Sequence, residues 1–73
     1  MISEDEFYKR IGVNVKRLRE GVNLTQDKLS EKAGISLDYL GKIEVNINKP
    51  GLKTILKLAN AMNVKPHEIL YMD

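Results

Sequence analysis

The chain has 73 residues, 42% hydrophobic and 30% charged, with a formal net charge of +2 and an isoelectric point near 9.0. That length allows one domain, residues 1–73, burying only about 60% of its unfolded surface, so self-association is the natural supplement to a thin core. Cysteine is absent, which excludes disulfide staples and thiolate metal centres. No apolar run approaches the roughly 18 residues of a membrane span, and the opening MISEDEFYKR lacks the basic start and apolar stretch of a secretory signal, so the expected compartment is the cytoplasm.

Ser3, with Glu6 three residues on, reads as a capping box. Phe7, Ile11, Val15 and Leu18 then recur every three or four residues, which predicts an amphipathic helix over residues 4–20. Thr25 is the expected N-cap of a second helix that runs to about residue 32, with Leu29 and Ala33 on its buried face and Gly34 closing it. Ser36 caps a third helix to residue 44, whose apolar side carries Leu40 and Ile43. The segment VNINKPG leads to a fourth helix, where Leu52, Ile55, Leu56, Ala59 and Met62 form one stripe that Leu58 widens. Lys65 and Pro66 start a short fifth helix, since proline suits the first helical position, and Ile69 and Leu70 can pack back on the core. Asn23, Asn46 and Asn63 each follow a helical stretch and are the residues, after glycine, best suited to a left-handed turn. No repeat, low-complexity tract or strand alternation interrupts this pattern, so the fold class is all-α with five helices.

Charge is unevenly placed. Glu4, Asp5 and Glu6 crowd the start, and the balance tilts basic from Lys9 onward, which favours a polyanionic partner only weakly. Helices two and three, about residues 25–44, are joined by the short turn Ala33-Gly34-Ile35, a helix-turn-helix geometry whose second helix can lie in the major groove of DNA. Helical hairpins are common elsewhere, so geometry alone is weak evidence.

The residues are more specific. LREGVNLTQDKLSEKAGIS followed by LGKIEVNINKPGLKTILKLANAMNV resembles the Xre-like family of phage Cro and repressor proteins, in register over residues 15–70. The Leu-Thr-Gln, Ala33-Gly34, Ile43-Glu44, Pro50 and the closing Leu-Ala pattern all match. The resemblance implies a compact repressor-like domain that binds double-stranded operator DNA by its third helix, as a regulator of transcription: a repressor or a small controller protein. Gln26 would then be a ligand for the DNA backbone, helped by the amides and dipole at that helix start, with Thr25 chiefly its cap. Read without the resemblance, Gln26 is an exposed helix-start residue.

Ser36, Leu37, Asp38, Gly41 and Lys42 occupy positions that face base edges in the family. Leu37 suits a thymine methyl, Asp38 a cytosine amino group, and Lys42 guanine or a phosphate. Gly41 costs the helix about 1 kcal/mol relative to alanine, compatible either with close approach to DNA or with helix packing. Tyr39 could reach a phosphate or be wholly structural. Lys49, Lys53 and the start of helix four beside Pro50 and Gly51 could hold a second phosphate, whereas Lys28 and Lys32 read as solvated charges. Arg19 and Glu44 match the positions of a partly buried ion pair tying helix one to the end of helix three. Departures from the family pattern are asparagine for glycine at 23, 46 and 63, Ser30 for alanine, and Gly41 for a polar residue.

A homodimer follows from reading two half-sites about 34–36 Å apart, with Ile69, Tyr71 and Met72 as interface candidates; the alternative is a frayed end with Ile69 in the core. An enzyme has little support: His67 is the single imidazole, and no nucleophile and base stand together. No phosphate-binding glycine loop, cofactor motif or metal-ligand set is present, and no small-molecule ligand is expected. The competing reading is a protein-interaction module on the same scaffold, such as an antirepressor, an antitoxin or a polymerase partner.

Overall fold

The computed structural model describes residues 1–72, and among them the chain forms five helices: α1 (Glu4–Gly21), α2 (Gln26–Ala33), α3 (Leu37–Glu44), α4 (Leu52–Met62) and α5 (Pro66–Ile69). Four of the five starts are set by a side-chain device, α4 beginning at Gly51 without one. Ser3 Oγ accepts from the Glu6 amide at 3.1 Å, Thr25 Oγ1 from Lys28 at 3.1 Å and Ser36 Oγ from Tyr39 at 3.0 Å, each satisfying one of the amides that a helix start leaves without a partner. The Glu6 carboxylate lies 3.4 Å from Arg10, one turn on. At α5 the device is one that the sequence reading passed over: Glu68 reaches back to accept from the Lys65 amide at 2.8 Å. The ends follow the expectation for left-handed residues, with φ of 70° at Gly34 and 61°, 62° and 57° at Asn23, Asn46 and Asn63.

Ile11 and Val15 of α1, Leu29 of α2, Leu40 and Ile43 of α3, Leu58 and Ala59 of α4, and Ile69 of α5 meet in one buried cluster. α3 packs on both α1 and α2, and α4 on α2 and α5, so α3 rests its inner face on the core and keeps its outer face open. No described helix is long and apolar enough to cross a membrane.

Two expectations are corrected. The α4 stripe is centred on Ile55, Leu58, Ala59 and Met62, while Leu52 and Leu56 are 76% and 50% exposed. Leu56 stands about 100° round the helix from Ile55, and Leu52 lies in a first turn that no neighbouring element covers, so Leu58 is a core residue rather than a flank. Ile69 has no exposed surface and is thereby removed from the candidate dimer residues: the short α5 turns it inward against α1 and α4. Tyr71 is 59% exposed, and Met72 is half-buried against the core.

Gly12 explains how closely α1 and α3 approach. A Cβ there would overlap the carbonyl oxygen of Ile43 and press on that of Glu44 at 3.1 Å, and neither backbone atom can swing away. Gly12→Ala gains up to about 1 kcal/mol of helix propensity but overpacks the crossing, at ~1–3 kcal/mol or more. A net fall in thermal midpoint is expected; an unchanged or raised midpoint would show that the two helices can separate freely.

Candidate nucleic-acid interface

The outer face of α3 is positioned by a buried charge cluster at its C-terminal end. The Glu44 carboxylate accepts from Arg19 Nε at 2.8 Å and Nη2 at 3.2 Å, and from Gln26 Nε2 at 3.0 Å. Arg19 Nη1 donates to the Leu24 carbonyl at 2.8 Å. The two charged side chains retain only 10% and 2% of their exposure, so the pair is buried as the resemblance implies. Hydrogen bonding to Glu44 raises the Arg19 pKa against the opposing effect of burial, and the guanidinium stays charged at any working pH.

Sequence reasoning placed Gln26 at the start of the second helix as a DNA-backbone ligand but did not foresee its bond to Glu44. Gln26 is the first residue of α2, and its amide nitrogen is committed to Glu44, which fixes the side chain between α2 and α3. Its Oε1 lies 3.9 Å from the position a Cβ would take at Gly41. Nothing else comes within 4 Å of that position, so packing against a neighbouring helix does not require glycine there.

The remaining candidates divide by what already holds them. Thr25 and Ser36 spend their oxygens as caps but keep a hydroxyl proton to donate. Lys42 Nζ pairs with Asp38 at 3.0 Å across one turn, so the two charges on the face partly cancel each other. Leu37 is 47% exposed, Tyr39 is half-buried against the core, and Lys53 lies exposed in the first turn of α4. Lys49 Nζ is 3.0 Å from Glu4, and that bond and charge raise its pKa. Ser30, an expected departure from the family, is buried with its hydroxyl donating to the Asp27 carbonyl at 2.8 Å, which removes the penalty of an unpaired hydroxyl.

Comparison with known proteins places this geometry. The helix-turn-helix family model HTH_3 matches residues 15–69. The immunity repressor of Bacillus phage phi105 is 35% identical over 60 residues, 82% of this chain and 42% of the repressor, so the chain spans less than half of that relative. The restriction-modification controller protein C.AhdI from Aeromonas hydrophila superposes with a TM-score of 0.82 at 31% identity, covering 85% of this chain and 94% of that one. SinR, a master regulator for biofilm formation, in complex with DNA, superposes with a TM-score of 0.79 at 31% identity, covering 84% and 98%.

Two substitutions separate support from contact. Arg19→Ala strands the Glu44 carboxylate and is expected to cost ~3–5 kcal/mol, read as an earlier midpoint in urea; an unchanged midpoint would remove the cluster as a support. Gly41→Ala meets no close neighbour and should stabilise the fold by up to about 1 kcal/mol while weakening DNA binding. Stabilisation with undiminished binding would show that nothing approaches that point.

Proposed function

Since the chain belongs to the helix-turn-helix family, we infer that it is a sequence-specific DNA-binding transcriptional regulator that places α3 in the major groove of an operator. The observation that carries this reading is the lock between Arg19, Glu44 and Gln26. It fixes the start of α2 against the end of α3, leaving Ser36, Leu37, Asp38, Gly41 and Lys42 on one outward side. In that pose the free amides and dipole at the start of α2, beside Gln26, receive one phosphate. Lys49, Lys53 and the start of α4 receive a second. Tyr39 would assist from the margin of the same face.

The eight residues of α3 rise about 12 Å, roughly the length of three to four base pairs. One copy therefore reads a half-site, and a homodimer reads two. With Ile69 in the core, the exposed apolar side chains near the C-terminal helices that could meet a second copy include Tyr71 and, on α4, Leu52 and Leu56, with Met72 flanking them. We read the protein as a repressor or small controller acting in the cytoplasm, without enzymatic activity.

The alternative of a protein-interaction module draws on one observation, a groove of about 500 Å³ between α1 and α5 lined by residues including Val13, Arg17, His67 and Tyr71. Salt separates the two. Binding through several phosphates loses affinity with a log–log slope of about −0.9 per phosphate, whereas a largely apolar interface responds little.

Selection of bound sequences from a random duplex pool at roughly physiological salt tests the reading directly. Two inverted half-sites about one helical turn apart are expected, with two chains per duplex by sedimentation. A folded protein that enriches no sequence would overturn the regulator reading in favour of the interaction module.

A further inference from the structure

Three contacts tie the first two turns of α1 to the loop between α3 and α4. Glu4 Oε2 pairs with Lys49 Nζ at 3.0 Å. Asp5 Oδ1 accepts from Asn46 Nδ2 at 3.2 Å. The Lys49 ammonium also stands 5.6 Å from the centroid of the Tyr8 ring, within cation–π range. Asn46 is the left-handed residue of this loop, with φ of 62°, so the acids hold the loop at its sharpest bend. Glu4, Asp5 and Tyr8 all precede the segment that the family model matches, residues 15–69, and the operator-reading face uses none of them.

We propose that Glu4 is an internal competitor for DNA phosphate: its carboxylate holds Lys49 in the free chain, and the phosphate that Lys49 contacts must displace it. The inference rests on the DNA-binding reading of the α3–α4 loop. Both partners are solvated, at 49% and 72% side-chain exposure for Lys49 and Glu4, and such a pair is weak enough to exchange. Asp5 and Tyr8 keep the loop in place while the exchange occurs. After it, the Glu4 charge is left unpaired within a Debye length, about 8 Å, of the bound phosphate.

The consequence is selective. A duplex seated fully on α3 presses its backbone against the loop and takes Lys49, whereas a loosely bound, nonspecific duplex leaves Lys49 with Glu4. The pair is broken only by the fully seated duplex, so Glu4 lowers operator affinity by the worth of one exposed ion pair, while the loosely bound duplex forgoes its phosphate contact at Lys49.

A double-mutant cycle tests this, with binding to a random-sequence duplex measured by fluorescence anisotropy over a salt series. Glu4→Gln is expected to tighten binding about two- to fivefold and to steepen the salt slope by up to about 0.9, the share of one phosphate. In the Lys49→Gln background the same substitution should change affinity less than twofold. An unchanged affinity for Glu4→Gln, beside a wild-type chain that binds, would overturn the inference alone. So would equal tightening in both backgrounds, which would mark general charge repulsion. A wild-type chain with no affinity for DNA would overturn this inference and the regulator reading together. Thermal melts of each variant confirm that folded proteins are being compared, since Asp5 and Glu6 remain to favour the start of α1.

Discussion

A carboxylate removed from water has to be met by donors, and in this chain that requirement fixes the working surface. Glu44 closes α3 with 2% of its side chain exposed, and its oxygens receive bonds from α1 and from the first residue of α2. Arg19 also donates to the Leu24 carbonyl at the corner leading into α2, so one guanidinium ties both that corner and the end of α3 to α1. Gly12 supplies the steric half of the same constraint. Without a side chain there, α1 lies directly against the Ile43 and Glu44 carbonyls, and the guanidinium can reach its partner without stretching.

What this frame presents is sparse in chemistry. Asp38 and Lys42 pair with each other, Gly41 offers no side chain, and Leu37 can make only an apolar contact. Direct reading of bases by such a face has few hydrogen bonds to work with. The small net charge of +2 keeps the sequence-independent attraction to DNA weak.

Most of the fold was legible because its signals are local. Ser3, Thr25 and Ser36 lie within three residues of the amides they cap, and the asparagine turns sit beside the helices they end. The ion pair between Arg19 and Glu44 spans 25 residues and became visible through resemblance, not spacing. What stayed hidden depends on how helices approach one another. Gly12 looked like an unexplained helix glycine, Leu52 and Leu56 fitted a stripe that the packing of α2 and α5 narrows, and Gln26 seemed free until the end of α3 was placed beside it. The contacts from Glu4 and Asp5 to residues 45 and 41 positions away leave no periodic trace at all.

The buried cluster is better understood as a positioning device than as a source of stability. Replacing a buried ion pair by well-packed apolar residues is often neutral or stabilising, so a domain needing only a firmer core would do as well without Arg19 and Glu44. An apolar substitute, however, gives Gln26 nothing to bond. Its amide would be released to solvent, and a group proposed to meet the DNA backbone would sample many rotamers instead of one. A directional acceptor at the end of α3 holds that amide in place, at the desolvation cost of a buried charge.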